Sequence, residues 1–206
     1  MKAKRRRNTV VDGLCTINTD VSELEFYYDT LITSVLFGAN NNCTILGDFA
    51  FANCVNLTNI DFTNANYLTQ INVAAFCNCS LLSKIKFPAS INLIGFSVFI
   101  SCSGLSEIDL SDITSLTTLR ESAFIDCNNV NVLRLRDNFS IPNYTFNFNS
   151  SKNVQVYFNG PLPVGTVINR GNYTLITVPA GPINTVAGGV RTFHYWNYRN
   201  YNLLDH

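Results

Sequence analysis

The side chains with the most chemical potential in this sequence are its cysteines. Cys54, Cys79, Cys102 and Cys127 recur at nearly constant spacing, and Cys77 stands two residues before Cys79. Thiolates bind zinc, and pairs of thiols form disulfides in an oxidising compartment. Either use depends on whether the fold gathers the thiols at one point or spreads them along a line.

Other chemistry has little support in the sequence. The two histidines, His194 and His206, lie near or at the C-terminus, far from the cysteines. No Gly-rich phosphate loop, nucleophile elbow or paired carboxylate motif stands out. We therefore expect a protein that is not an enzyme and that carries no cofactor and no metal.

A period of 22 to 25 residues runs through the middle of the chain and positions the cysteines. Each repeat has a Phe with an aliphatic residue five positions before it and a Cys, or finally an Asn, three positions after it. The Phe and their companions are Phe51/Cys54, Phe76/Cys79, Phe99/Cys102, Phe124/Cys127 and Phe146/Asn149. Such self-similarity is typical of a stacked, right-handed solenoid.

Each repeat also contains a candidate strand. Nine and eleven residues after each of the first four Phe lie two apolar residues that flank one variable position, and in the fifth repeat this pair slips by a residue to Val154/Val156. The pattern predicts a short parallel strand with both apolar side chains inward. Repeated turns then place the cysteines one above another, ~4.8 Å apart. A tetrahedral metal site needs convergent ligands, so we interpret the thiols as structural, and as free rather than disulfide-bonded.

The run "IKFPASINLIGFSVFISCSGLSEIDL" resembles the BspA-like leucine-rich repeat. Phe87-Pro88 corresponds to the family's strand end, Ile94-Gly95 to its interior aliphatic, and Ala75-Phe76 and Ala123-Phe124 to its Ala-Phe pair. The resemblance covers about residues 34–158. It implies an arc of parallel strands and a role in adhesion or protein–protein contact, with no catalytic residues to carry over.

The predicted fold is thus a leucine-rich-repeat solenoid of about five to six turns with a short parallel β-ladder. We divide the chain into a basic arm (1–7), an N-terminal cap segment (8–33), the repeats (34–158) and a β-rich, aromatic extension (159–206).

The basic arm balances an otherwise acidic chain. Five of the 14 basic residues lie in it, which leaves nine basic against 14 acidic residues, a net charge of −5, in residues 8–206. The arm could contact phosphates or an acidic protein surface, act in nuclear import, or be a frayed, solvated terminus. Its cations are Lys2, Lys4, Arg5, Arg6 and Arg7.

No secretory signal is evident after the arm, since Asn8, Thr9, Asp12 and Gly13 interrupt any apolar stretch, and no window approaches the ~18 apolar residues of a membrane span. We expect a protein that is not secreted by a classical signal, does not insert into membranes, and lies inside the cell or within an assembled particle.

The variable positions of the strands predict an outward row of alternating charge. Asp61, Lys86, Asp109 and Arg134 follow one another across the ladder, with Leu36 before them and Gln155 after them. A second row, Asn59, Lys84 and Glu107, adds another unlike pair. Unlike neighbours on adjacent strands attract, which fixes the strand register. The row is either a self-satisfied surface or a mildly polar protein-binding face, and its neutrality argues against phosphate binding.

The C-terminal extension changes character at Gly160. Two strand-like runs, 166–169 and 173–178, flank Arg170-Gly171-Asn172 and predict a hairpin. An aromatic cluster follows that could cap the solenoid, contact a neighbouring subunit or stack on a ligand. The cluster comprises Phe193, Tyr195, Trp196, Tyr198 and Tyr201.

Three functional hypotheses follow. The first, which we prefer, is a structural subunit of a larger assembly such as a virion or appendage, binding other protein subunits or itself. About 28 asparagines and only 14% charged residues favour it. The second is a BspA-like adhesion or recognition module. The third is a nucleic-acid-associated protein that uses the basic arm.

Overall fold

The computed structural model describes residues 8–136, 145–146, 155–159, 167–170 and 173–177, with side chains for residues 8–135 and 145–146. Nearly all of this part consists of short strands and tight turns. The strands are β1 (Thr9–Val11), β2 (Leu14–Ile17), β3 (Ser34–Phe37), β4 (Ile45–Leu46), β5 (Asn59–Asp61), β6 (Gln70–Ile71), β7 (Leu93–Ile94), β8 (Glu107–Asp109), β9 (Thr118–Leu119), β10 (Val132–Arg136), β11 (Gln155–Asn159), β12 (Val167–Arg170) and β13 (Tyr173–Thr177).

One wall of the molecule is a parallel ladder, which we call the first ladder. It runs from β2 through β3 and β5, and continues in β8, β10 and β11. Between β5 and β8, the turn at residues 84–86 pairs with its neighbouring strands through single bridges, from Lys84 to Asn59 and from Lys86 to Asp109. At the N-terminal end β1 pairs antiparallel with β2. Alternate residues of β2, β3, β5 and β8 are buried, as in Val35 and Phe37 of β3, because successive side chains point to opposite faces.

The facing wall is a second parallel ladder of two-residue strands, in the order β4, β6, β7 and β9. Its inward residues are the aliphatics five positions before each Phe, Leu46, Ile71, Ile94 and Leu119. The predicted class, a solenoid of parallel strands, is confirmed. Counted on this ladder, the described residues form about four regular turns, slightly fewer than the five to six predicted.

A stack of phenylalanines fills the space between the walls. Phe51, Phe76, Phe99 and Phe124 are fully buried, with ring centroids 5.2 to 5.4 Å apart and planes within 8° of parallel. Phe146 continues the stack at 5.5 Å. Stacked rings at this spacing contribute about 0.5–1.5 kcal/mol per pair beyond their burial. The stack therefore couples each turn to the next.

The stack also extends N-terminally, to Phe26, whose ring lies 5.0 Å from that of Phe51. Since β2 pairs in parallel with β3, residues 14–33 form a turn of the same coil. The segment 8–33, interpreted from the sequence as a cap, thus contains one turn together with the β1–β2 hairpin that covers its end. Asn8 fixes this hairpin, because its side-chain oxygen accepts hydrogen bonds from the backbone N–H of Asn18 and Thr19.

The turns that carry the Phe residues use left-handed backbone at two fixed positions. The residues two before and two after the five Phe residues from Phe26 to Phe124 in the stack have φ between 51° and 62°. These residues are Leu24, Tyr28, Phe49, Asn53, Ala74, Asn78, Ser97, Ser101, Ser122 and Asp126. This geometry turns alternate N–H groups toward the next turn, as where Phe51 donates to the carbonyl of Ala75 at 2.8 Å. The coil is thus hydrogen-bonded along a third line besides its two ladders.

In the C-terminal extension, β12 and β13 pair antiparallel, which confirms the predicted hairpin. The described residues contain no helix that is long and apolar enough to cross a membrane.

Candidate functional site

The repeat cysteines lie along a line inside the coil. The thiols of Cys54, Cys79, Cys102 and Cys127 each donate a hydrogen bond of 3.1 to 3.2 Å to the carbonyl of the Phe one turn earlier. The same carbonyl also accepts a hydrogen bond from the backbone N–H of the Cys in its own turn, as where Cys79 donates to Phe76 at 3.2 Å. The thiols therefore bind backbone. In the described part of the chain, no three potential metal ligands converge.

Burial makes these thiols poor nucleophiles. It raises the pKa of Cys15, Cys43 and Cys54 from the ordinary 9.0 to about 12, and that of Cys77 to about 11. The pKa of the Cys79, Cys102 and Cys127 thiols is raised by burial as well. All seven cysteines are free and buried. Because the thiolate is the reactive form, the interior of the coil offers no catalytic nucleophile at neutral pH.

Among the described residues, the surface that the sequence singled out is the outward face of the first ladder. Its residues form two rows, which we call the leading row and the trailing row. The leading row is Leu14, Ser34, Asn59, Lys84, Glu107 and Val132; the trailing row is Thr16, Leu36, Asp61, Lys86, Asp109 and Arg134. Both rows are exposed or half-buried. The predicted alternation of charge along the trailing row therefore lies on the accessible face of the sheet.

The ion pair on this face does not join direct neighbours of the trailing row, as the alternation of charge would suggest. Arg134 forms an ion pair with Glu107 of the leading row, Nε to Oε1 at 2.7 Å, rather than with its direct neighbour Asp109. Asp109 instead accepts hydrogen bonds from the N–H and hydroxyl of Ser111. These bonds hold its carboxylate at the end of its own strand, which explains the diagonal pairing.

Asp61 is held in the same way as Asp109. Hydrogen bonds from the hydroxyl and the N–H of Thr63 lower the pKa of the Asp61 carboxyl. Its carboxylate is thus charged over the whole physiological pH range.

Two cations on this face have no acid partner in the part of the chain that the structure describes. Lys84 and Lys86 are both exposed, and among the described residues neither forms an ion pair. They border a shallow concavity of about 270 Å³, lined by Asn59, Ile60, Lys84, Ile85, Lys86, Glu107 and Asp109. The turns are spread here, since the Phe62 and Phe87 rings are 6.4 Å apart whereas Phe37 and Phe62 are 5.4 Å apart.

The register of the last strand corrects the predicted slip of the fifth repeat. Val156 pairs with Leu133, and Tyr157 pairs with Arg134. The position that follows Arg134 in the trailing row is therefore Tyr157, and Gln155 continues the leading row beside Val132. The prediction that Val154/Val156 align with Leu133/Leu135 is wrong, because the residues aligned with them, Val156 and Phe158, follow Phe146 by two residues more than assumed.

Other residues singled out from the sequence lie outside the described residues. These are the five cations of the basic arm, Asn149, and the aromatic cluster at positions 193–201. Their roles stay predictions.

A small apolar surface that sequence reasoning missed lies beside the second ladder. Ala52, Ala74 and Cys77 are buried under partly exposed Tyr27, Phe49, Val73 and Ile100. Nearby, the guanidinium of Arg120 lies 5.5 Å from the centre of the Phe96 ring. The sequence does contain a sign of this surface, because the residue after the Phe is apolar or aromatic in each of five successive turns: Tyr27, Ala52, Cys77, Ile100 and Ile125.

Comparison with known proteins agrees with this geometry. The chain matches the model of the BspA type leucine rich repeat region in six copies over residues 19–155. No curated protein matches it.

Several solved structures are similar to the chain. A leucine rich repeat protein of T. pallidum is 24% identical, with a TM-score of 0.52, over 64% of this chain and 71% of that one. A leucine-rich repeat protein from Bacteroides ovatus is 17% identical, with a TM-score of 0.47, over 66% of this chain and 46% of that one. At these identities the likeness concerns the fold alone.

Proposed function

Because this chain belongs to the family of BspA type leucine rich repeat proteins, which make protein–protein contacts, we propose that it is a non-catalytic protein-binding module. Its binding surface is the outward face of the first ladder. Adhesion to another cell or surface is one form that such binding takes.

The observation that carries the proposal is the pair of exposed lysines, Lys84 and Lys86, that border the concavity and form no ion pair with any residue that the structure describes. A lysine that is not already paired can bind a carboxylate of another protein without first breaking a contact. The turn that carries them is anchored from within by buried Ile85 and Phe87.

The charge balance of this face favours a protein partner over a nucleic acid. Across the two rows, Lys84, Lys86 and Arg134 oppose Asp61, Glu107 and Asp109, three cations against three anions. A nucleic-acid surface needs an excess of Lys and Arg on one face. Binding through the basic arm is a separate hypothesis, and deleting residues 2–7 tests it, since nucleic-acid binding should then disappear.

The experiment is affinity capture from source cells with the wild type and with Lys86→Glu. Arg120→Glu is the matched control, because it reverses one exposed cation beside the second ladder. We expect at least one protein that is captured by the wild type and by Arg120→Glu and is lost with Lys86→Glu. Identical capture by all three would rule out this face as the binding surface.

A second candidate is the structural subunit of a virion, appendage or similar particle. The low share of charged residues, 14%, and the many asparagines support it, because such a surface repels neighbouring copies weakly. The seven buried free thiols suit an intracellular or particle location. Gel filtration of the native protein, with and without nuclease, tests this candidate. A very large, nuclease-resistant species supports it, and a species near 23 kDa contradicts it.

A truncation then tests the extension in that assembly. Deleting residues 190–206 should prevent assembly while the repeats stay folded. Unfolding of the repeats would instead show that the tail is a cap.

A further inference from the structure

The charges on the outward face of the first ladder alternate in sign, so that the row is complementary in charge to the same row read in the opposite direction. Read along the coil, the trailing row is Asp61, Lys86, Asp109 and Arg134, with signs −, +, −, +. Read backwards, the signs are +, −, +, −. An alternating row of four charges therefore matches a second copy of itself that runs in the opposite direction.

From this order we propose that the face binds a second copy of the chain, with the two sheets stacked about a two-fold axis. The proposal rests on the proposed function, since it identifies the partner of the same face. The axis lies between the sheets, parallel to the strands, and passes between the 84–86 turn and β8. Rotation about it keeps each row on its own row and reverses the order of the turns.

This rotation sets unlike charges against each other at every charged position. Lys86 faces Asp109 of the second copy, and Asp61 faces its Arg134. In the leading row, Lys84 faces Glu107, and uncharged Asn59 faces Val132. Each contact occurs twice because the interface is isologous. The six charges of each copy are thus all matched.

The same pattern excludes the neighbouring registers. If the axis passed through the 84–86 turn, each lysine would face itself and Asp61 would face Asp109. If it passed through β8, Asp109 and Glu107 would face themselves and Lys86 would face Arg134. Like charges brought together between two sheets are unfavourable, so a shift by one turn is selected against.

The side chains needed for this contact are available in the single chain. Lys84 and Lys86 are exposed and have no acid partner among the described residues. Arg134 and Glu107 are paired with each other, but their side chains keep 39% and 42% of their surface exposed. The carboxylate of Asp109 is held at the strand end by Ser111 and is half-buried. Because the Asp109 side chain is already held in place by Ser111, it loses less conformational entropy when a lysine of the second copy binds it.

The contact is small, because four rungs at ~4.8 Å each cover only part of the area of a stable dimer interface. We therefore expect a weak, reversible dimer that depends on ionic strength, since its contacts are exposed charges. Analytical ultracentrifugation of the full chain over a range of concentrations measures it. Dissociation should increase as salt is raised toward about 1 M, where the screening length falls to ~3 Å.

Single charge reversals give the decisive test. Lys86→Asp and Asp109→Lys should each raise the dimer dissociation constant about tenfold or more, because each places like charges together twice. Mixed with each other, however, the two variants are complementary, and they should form a heterodimer as tight as the wild-type dimer. Arg120→Glu should dimerise like the wild type.

Asp109→Lys also removes the hydrogen bonds from Ser111 and could destabilise the fold. A second pair of variants therefore repeats the test at other positions. Lys84→Glu and Glu107→Lys make the same test in the leading row. Circular dichroism shows which variants are folded. A wild type that stays monomeric at low salt, or reversal variants that fail to rescue each other in both rows, overturns the proposal.

The outcome is separable from that of the proposed function. If the chain is monomeric but captures another protein through Lys86, the proposed function stands and self-association is wrong. If the chain captures no other protein and is also monomeric, both fail.

Discussion

The thiol of Cys102 donates a hydrogen bond to the carbonyl oxygen of Phe76, one turn earlier in the coil, across 3.1 Å. The carbonyl of Phe99 receives the thiol of Cys127 in the same way. The period that joins Phe and Cys in the sequence is thus a physical contact between successive turns, and it lies next to the stack of rings.

Cys102→Ala should lower the free energy of unfolding by about 1–2 kcal/mol, because the hydrogen bond and a buried sulfur are both lost. Cys77→Ala is the matched control, since Cys77 is buried outside the main core in the small cluster near Tyr27. Urea denaturation measures both. Equal losses would show that the hydrogen bond to Phe76 contributes nothing measurable.

The buried thiols predict a loss of stability in alkali. Their pKa is raised from 9.0 to about 11 or 12 at Cys15, Cys43, Cys54 and Cys77, so the folded state holds protons that the unfolded state releases. Their contribution is complete below pH 9 and is lost as the pH rises toward 12. Denaturation between pH 7 and 10.5 should show constant stability from the thiols up to pH 9 and a decline above it. A rise above pH 9 would contradict the burial of the thiols.

The same burial predicts slow labelling of the native protein. At pH 8 none of the seven thiols should react quickly with iodoacetamide, whereas all should react in denaturant. Mass spectrometry after short exposure counts the modified residues. A thiol that is labelled at once would identify a turn that opens locally.

Phe76→Ala should be the most disruptive single change in the repeats. Phe76 is fully buried, with rings at 5.3 Å and 5.4 Å on its two sides. We expect a loss of about 3–5 kcal/mol, measured by thermal or urea denaturation. Phe96→Ala is the control, because Phe96 is 44% exposed, and it should cost about 1 kcal/mol or less. Similar costs for the two variants would mean that the stack is not the centre of stability.

Ser122→Gly should stabilise the coil, by up to about 1 kcal/mol. Ser122 has φ of 62°, a conformation that costs an L-residue about 1–2 kcal/mol and that Gly adopts freely. Ser103→Gly is the control, since Ser103 has no positive φ and gains only the flexibility of the unfolded chain. If both variants lose stability equally, the left-handed backbone at this position carries no strain.

The sequence predicts the parts of this structure that depend on periodic burial. The repeating apolar positions identify the core and the first ladder, because only one side of each short strand can be buried, and they place the aliphatic residues on the opposite wall without predicting that this wall is a second ladder. The left-handed positions are different. Leu24, Phe49 and Ala74 are residue types with no preference for positive φ, so nothing in their chemistry indicates it. The coil imposes this conformation by hydrogen bonding between turns.

The sequence predicted only part of the candidate face, the row of charges, and did not predict how these charges pair. The row of charges follows from the strand spacing, but the diagonal pair of Arg134 and Glu107 depends on the Ser111 contacts that hold Asp109 away. Such contacts depend on side-chain direction, which a linear pattern does not contain. The register of Tyr157 was missed because the strand follows Phe146 two residues later than predicted, and a shift of two residues keeps the alternation along the strand, so the sequence pattern does not reveal it.

The single bridges at Lys84 and Lys86 determine where the coil bends most easily. The first ladder has full strand pairing on both sides of this turn, whereas the second ladder and the stack of rings continue through it. We therefore expect resistance to bending to be lowest at this turn and on one wall only, with the second ladder acting as the hinge. We expect the amides of residues 84–86 to exchange hydrogen before those of the turns on either side.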